Sequence, residues 1–215
     1  MPTVIVPVGL NMGQDFSSGN PAEHPSEFWE VHLGTESASL TPDEVRVWGA
    51  AFLDPQRHAS HEFDRAHLED LLRQGENGMA DPAPVVDRLL ERGLLLEYDT
   101  EAASWERLFG GMKLFPLVQG LGNSPEEPAV YQIGIAGEPI VSVNANVYAI
   151  WSYSLASPSL WQACTDLAEG IDEGLEPGQE PFGYTPDGVA GEVGAAIPVL
   201  VAGGCAFLDP LNYTL

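Results

Sequence analysis

The chain has 215 residues, 44% of them hydrophobic, which is enough to bury the core of one large domain or of two domains of about 100 residues each. Its 32 acidic and 8 basic residues give a formal net charge of −24 at pH 7, and no Lys or Arg follows Lys113, so we expect no direct binding to nucleic acid. There is no apolar run of about 20 residues and no signal-peptide pattern at the N-terminus, so we expect a cytoplasmic protein that makes no contact with a membrane.

Residues 1–99 predict a strand, a hairpin, three helices and a closing strand. Thr41-Pro42-Asp43-Glu44 predicts a helix start, because Thr can cap the helix, Pro suits the first turn and Glu44 can complete a capping box. Gly93 predicts the end of the third helix in a left-handed cap. The expected elements are a strand over Thr3–Val8, a hairpin of Phe28–Leu33 and Glu36–Leu40, helices from Thr41 to about Leu53, over about Glu62–Gln74 and from Asp81 to Gly93, and a strand over Leu94–Tyr98.

Residues 100–111 predict a linker helix, and residues 112–215 then repeat the order of the first 99. Thr185-Pro186-Asp187 predicts the start of the last helix, and Pro198 predicts that this helix is kinked or split. The other expected elements are a strand over Leu114–Val118, a hairpin of Val130–Ile135 and Pro139–Val143, helices over Asn144–Ser154 and Ser157–Glu169, and a strand over Cys205–Leu208.

Several segments of the two halves match in the same order, which indicates an internal duplication. Trp48 matches Trp151, and Gly93 matches Gly203. Between these positions the second half is longer, and the Gly/Pro/Glu-rich stretch Gly170–Gly183 predicts the added loop. The matched segments are Ile5–Leu10 with Leu114–Leu121, Phe28–Gly34 with Tyr131–Gly137, Val45–Trp48 with Tyr148–Trp151, and Leu89–Asp99 with Val199–Asp209.

A hairpin, three helices and a returning strand are the elements of a winged-helix unit. We therefore predict an α+β protein of two tandem winged-helix-like units, residues 1–99 and 112–215. In each unit the hairpin and the final strand are expected to form one small sheet. Trp48 and Trp151 are expected to be core residues.

The chain offers few groups for chemistry. No nucleophile elbow, P-loop, zincin motif or dinucleotide fingerprint occurs, so we predict no catalytic residue and no cofactor, and the chain is more typical of a binding protein than of an enzyme. His58, His61, Asp64 and His67 are weak candidates for a metal site, against the simpler interpretation of a polar loop leading into a helix.

The two cysteines, Cys164 and Cys205, lie in apolar sequence. This pattern favours buried thiols in a reducing compartment and leaves a disulfide between them as the alternative.

The segment Tyr131–Trp151 resembles the entry to the winged helices that recognise precursor peptides in ribosomal peptide biosynthesis, including the peptide chaperone of pyrroloquinoline quinone assembly. It has a strand, a turn, a strand that ends at a polar cap, and a helix with an apolar face carrying Trp151. The closing segment Val199–Phe207 is similar to the final helix and Gly stop of that family. The resemblance implies that a peptide adds as a strand beside the third helix. It implies contact residues Tyr131, Ile133, Ile135, Val141 and Val143.

The leading hypothesis is a non-enzymatic adaptor or peptide-recognition module whose acidic surface binds a basic peptide or protein segment. The acidity has a second interpretation, solubility or adaptation to high salt. Two other functions stay open at this point. One is a transcription-linked regulator or DNA mimic that acts through protein contacts, and the other is an enzyme of a type that the motifs do not identify.

Overall fold

A computed structural model describes residues 3–14, 29–74, 78–101, 103–171, 173, 175 and 180–212. Residues 15–28, which include Phe28 at the start of the predicted hairpin, lie outside the described residues, and so does part of the predicted added loop (172, 174 and 176–179). The protein is a mixed α+β protein with four small antiparallel sheets among the described residues. None of the helices in these ranges is both long and apolar enough to cross a bilayer.

The first half contains five strands and four helices within its described residues. The added helix relative to the prediction is α2, which Asp54 caps by accepting a hydrogen bond from the backbone N–H of Arg57. In chain order the elements are β1 (Thr3–Pro7), β2 (Leu10–Gln14), β3 (Trp29–Leu33), β4 (Glu36–Leu40), α1 (Pro42–Ala50), α2 (Pro55–Ala59), α3 (Arg65–Arg73), α4 (Ala83–Glu91) and β5 (Leu95–Asp99).

A short helix, α5 (Trp105–Phe109), joins the halves, and the described part of the second half repeats the strand–helix order of the first. Where the first half has α2, the second has a 3₁₀ turn at Ser154–Ala156. The elements are β6 (Met112–Pro116), β7 (Gln119–Gly122), β8 (Tyr131–Ile135), β9 (Glu138–Val143), α6 (Ala145–Tyr153), α7 (Leu160–Gly170), α8 (Pro186–Ala202) and β10 (Ala206–Pro210).

The strand pairing differs from the predicted winged-helix sheet. The closing strand β5 pairs with β1, and β10 pairs with β6, whereas each hairpin forms a three-stranded sheet with β2 or β7. The prediction that the hairpin and the closing strand share a sheet is therefore wrong. The physical reason is burial: Val4, Ile5 and Val6 are all inaccessible to solvent, so β1 is a core strand, and β5 pairs with it while adding buried Leu95 and Tyr98 to the same core.

The helix ends follow their local signals. Thr41 and Glu44 form the predicted capping box. Gly93 has a φ of 67°, and the N–H of Leu94 donates to the carbonyl of Leu89 at 2.9 Å, as expected for a left-handed cap. In the second half, it is Gly204, with a φ of 65°, that has this conformation. Cys205 N–H donates there to Leu200 at 2.8 Å. Gly204 is thus the counterpart of Gly93, and the sequence match to Gly203 is one residue out of register.

The two tryptophans occupy corresponding helices, α1 and α6, and both are buried, which confirms them as core residues. The indole N–H of Trp48 donates to the carbonyl of Val8 at 3.0 Å. That of Trp151 donates to the carbonyl of Cys205, also at 3.0 Å. The indole N–H is the only polar group of a Trp side chain, and a buried one needs a hydrogen-bond acceptor. In each half that acceptor is a backbone carbonyl at the end of the two-stranded sheet.

Helix α8 packs at the centre of the molecule and contacts both halves. Of the two outcomes predicted for Pro198, a kink or a split, the split is wrong, because the helix continues to Ala202. Proline has no N–H, so the carbonyl of Gly194, four residues earlier, lacks its usual donor. The hydroxyl of Tyr98 takes that place and donates to Gly194 at 2.8 Å. This hydrogen bond from β5 satisfies the carbonyl that Pro198 would otherwise leave without a donor inside α8.

The linker helix α5 is part of this packing. Trp105 and Phe109 are buried, and the ring of Trp105 lies directly on the backbone of Gly194, where a Cβ atom would come within 2.1 Å of the indole. The residues around 100–111 therefore join the halves into a shared core.

Candidate functional site

The five residues predicted to contact a partner lie on the three-stranded sheet of the second half. Ile133 and Val141 are buried in the core, Tyr131 and Val143 are half-buried, and Ile135 is exposed. Strand β8, which carries three of them, lies between β7 and β9, so both of its edges are already paired. A peptide that adds to this sheet beside α8 would have to pair with β9.

The outer edge of β9 has no strand partner among the described residues. Ile133 pairs with Val141 and Gly134 with Pro139, so Ile140 is an extra, bulged residue, and its side chain is 45% exposed. Pro139 lacks an N–H. The part of the edge that can accept a new strand is therefore Val141–Val143.

Helix α8 runs beside this edge. At its C-terminal end, a Cβ atom on Gly203 would lie 3.2 Å from Val141 and 3.3 Å from Ile140. At the other end, the carboxylate of Glu192 accepts hydrogen bonds from Asn144 and Asn146, which follow β9. Between these points the helical repeat presents a half-buried stripe toward the strand. We call this stripe and the outer edge of β9 the β9 groove; the stripe consists of Glu192, Ala196, Val199 and Gly203.

The corresponding edge in the first half, on β4, is covered by an arginine. Arg92 donates from Nη2 to the carbonyl of Ser39 on β4 at 3.0 Å. Its Nη1 donates to Glu44 at 2.9 Å, and Arg88 donates from Nε to the same oxygen at 3.0 Å. The Glu44 side chain is only 6% exposed, so the two cations balance a buried charge. Burial raises the pKa of Glu44, but hydrogen bonds from Thr41 and Arg88 outweigh it and keep this pKa below its ordinary value.

Within the described residues, no arginine bonds to the edge of β9, and the positions of the second half that correspond to this charged cluster are apolar. To find the corresponding positions, we aligned the two halves on Trp48 and Trp151 for the hairpin and first helix, and on Gly93 and Gly204 for the last helix. Ser142 then occupies the place of Ser39, since both lie opposite the second residue of the neighbouring strand. The substitutions are Val147 in place of Glu44, Val199 in place of Arg88 and Gly203 in place of Arg92.

A polar recess closes the groove at the end opposite to Gly203. The Nδ2 atoms of Asn144 and Asn146 donate to the same oxygen of Glu192, Oε2, at 2.8 and 3.1 Å. The recess has a volume of about 240 Å³, and Tyr184 contributes to its wall. Asn144 also caps α6 through its Oδ1 atom, which fixes the direction of its amide group.

Carboxylates are balanced differently in the two halves. In the first half, arginines pair with them: Arg65 and Arg73 both contact Glu69. In the second half, Asp166 is held by the neutral side chains of Ser157 and Gln162. Residues 114–215 contain no Lys or Arg, so the negative charge around the β9 groove is not neutralised by that part of the chain.

The predicted histidine cluster does not converge. His58 is buried and its Nε2 lies 2.9 Å from the carbonyl of Ala51, while His61 Nε2 lies 2.7 Å from the carbonyl of Ala195. Asp64 caps α3, and His67 faces Asp54 at 3.4 Å. Among the described residues, no three carboxylate, imidazole or thiol groups are placed to hold a metal ion.

Cys164 and Cys205 are free, buried thiols rather than a disulfide. Burial raises the pKa of Cys164 to about 12 and that of Cys205 to about 11. Both are therefore protonated at neutral pH and poor nucleophiles.

Sequence reasoning missed the residues that distinguish the two sheet edges. Glu192, Val199 and Gly203 carry no motif, and they stand out only when they are compared with their counterparts in the first half. The signal lay in the matched segments of the two halves, but aligning Gly93 with Gly203 instead of Gly204 hid the correspondence of Arg92 with Gly203.

Comparison of the chain with protein-family models, with curated proteins and with solved structures finds no significant match.

Proposed function

We propose that the protein is a non-enzymatic recognition module, built of two winged-helix-like units from an internal duplication, that binds a basic peptide or protein segment in the β9 groove. The observation that carries the proposal is the contrast between the two sheet edges. Arg92 donates to a carbonyl on the edge of β4, whereas Gly203, at the corresponding position, has no side chain and lies against Ile140 and Val141 of β9.

Several shared features support the duplication. The strand–helix order recurs, and both Trp side chains lie in corresponding helices. The pairs β2–β3 and β7–β8 each contain a bulge before a glycine with positive φ, Gly13 or Gly122. The units are winged-helix-like in the order of their hairpin, helices and closing strand, with the strand pairing described above.

Strand addition suits the physical character of the groove. A peptide paired with Val141–Val143 would gain main-chain hydrogen bonds, and its alternate side chains could lie against Ile140 and Val199. The bulge and Pro139 limit the edge to a few residues, which also protects the free protein from edge-to-edge aggregation.

The proposed ligand is basic because residues 114–215 contain acids and no Lys or Arg. A cationic segment would be steered toward this surface, and the unneutralised charge would favour it over an acidic segment.

The experiment uses short random peptides displayed on phage and selected on the full protein. Enriched peptides are then measured by fluorescence anisotropy against Gly203→Arg, which places an arginine where the first half has Arg92, and Ser142→Pro, which removes an edge donor. Ser39→Pro is the matched control, because the carbonyl of Ser39 is already bonded to Arg92.

We expect Gly203→Arg and Ser142→Pro to weaken binding by about tenfold or more, equivalent to about 1.4 kcal/mol, and Ser39→Pro to leave it within about twofold. Thermal melting of each variant confirms that it is folded. The proposal is wrong if no peptide is enriched, or if both folded groove variants bind like the wild type.

A further inference from the structure

We infer that Glu192 binds a Lys or Arg side chain of the docked peptide; this inference rests on the proposed function and assigns the residue that reads the basic character of the ligand. Glu192 lies in the polar recess at one end of the β9 groove, on the same helix stripe as Val199 and Gly203.

The hydrogen bonds of Glu192 leave half of its carboxylate available. Asn144 and Asn146 both donate to Oε2, so Oε1 has no protein donor within the described part of the chain. Asn146 is only 7% exposed, and the Oδ1 atom of Asn144 is fixed by the N–H of Val147, so the two amides hold the carboxylate in one orientation. A carboxylate held in this way presents a fixed oxygen to a cation.

The recess suits a cationic side chain. Its walls include the ring of Tyr184, which can contact a cation through its face, and its volume of about 240 Å³ is sufficient for an ammonium or guanidinium group. No Lys or Arg of residues 114–215 can fill it, because that stretch has none. The buried carboxylate of the first half, Glu44, takes two arginines from its own chain, whereas Glu192 is held by neutral amides alone.

The position of Glu192 also determines which position in the peptide sequence carries the Lys or Arg. Strand β9 runs toward Asn144, and antiparallel pairing is somewhat more stable than parallel pairing. The N-terminal part of an antiparallel peptide would then lie next to Asn144 and Glu192. We therefore expect the Lys or Arg on the N-terminal side of the residues that pair with Val141–Val143.

The test is a double-mutant cycle with a phage-selected peptide and its Lys→Gln or Arg→Gln counterpart, measured by isothermal titration calorimetry. The protein variants are Glu192→Gln, which keeps an acceptor for Asn144 and Asn146, and Glu138→Gln, which removes one exposed charge from the other end of β9. Glu138→Gln controls for the general effect of charge.

We expect Glu192→Gln to lower the affinity for the cationic peptide about tenfold, which is the size expected for the loss of a charged hydrogen bond. The affinity for the Gln peptide should stay within about twofold of the wild-type value. Glu138→Gln should change either affinity by no more than about twofold. The inference is overturned if Glu192→Gln acts no more strongly than Glu138→Gln, or if the selected peptides lack an N-terminal cation. In those cases the proposed function still stands when Gly203→Arg or Ser142→Pro weakens binding, and it falls when both folded variants bind like the wild type.

Discussion

The hydroxyl of Tyr98 is expected to stabilise the protein only because α8 contains Pro198. Without an N–H at position 198, the buried carbonyl of Gly194 depends on Tyr98, which donates to it at 2.8 Å. Burial raises the pKa of Tyr98, so the phenol keeps its proton at all physiological pH values. Tyr98→Phe leaves the carbonyl unpaired and should lower the free energy of unfolding by about 1–3 kcal/mol.

The cost should shrink when position 198 regains its donor. In Pro198→Ala the new N–H can bond to Gly194, so Tyr98→Phe should cost about 1 kcal/mol less in that background than in the wild type. Urea denaturation of the wild type, both single variants and the double variant measures this difference through Trp fluorescence. Tyr153→Phe is the control, because Tyr153 is 75% exposed. Equal costs of Tyr98→Phe in the two backgrounds would refute the coupling.

Four further outcomes are expected. Trp151→Ala should lower the free energy of unfolding by about 3–5 kcal/mol, because it leaves a cavity in the core; an unchanged melting temperature would contradict its burial. Burial lowers the pKa of His58, so the folded state binds fewer protons than the unfolded state, and stability should fall in urea titrations as the pH drops below about 6.5, less so in His58→Gln. Gel-shift assays with duplex DNA at about 150 mM salt should show no saturable binding. The association rate of a basic peptide, measured by surface plasmon resonance, should fall steeply between about 50 and 300 mM salt, and a constant rate would exclude electrostatic steering.

Local signals predicted most of the helices, because caps and stops depend on a few neighbouring residues. The capping box at Thr41 and the left-handed glycine at Gly93 are both found where the sequence places them. Strands β2 and β7 were missed because they are short, polar and interrupted by glycine, and they exist only through pairing with β3 and β8. The pairing of β1 with β5 brings together residues from opposite ends of the first half, which local patterns do not encode.

The candidate site could be predicted only in part, for a different reason. The family resemblance implied contacts on the β7–β9 sheet, but two of those residues, Ile133 and Val141, are buried in the core. In the run Gly203-Gly204 either glycine could end the helix, and only the backbone conformation shows that Gly204 does. Without that register, Gly203 looks like part of a turn rather than the counterpart of Arg92.

The two halves have the same strand–helix order but differ in the residues beside the outer strand of each three-stranded sheet. In the first half, Glu44 orients Arg88 and Arg92, and Arg92 satisfies a carbonyl of the exposed strand β4. An edge closed in this way is protected from pairing with another chain. Removing the cations alone would leave the Glu44 carboxylate unpaired, and its side chain is only 6% exposed. At the corresponding positions the second half has Val147, Val199 and Gly203, so no carboxylate is buried there. With no charged side chain at these three positions, the edge of β9 has no buried ion pair beside it, whereas the two arginines that pair with Glu44 lie beside the edge of β4.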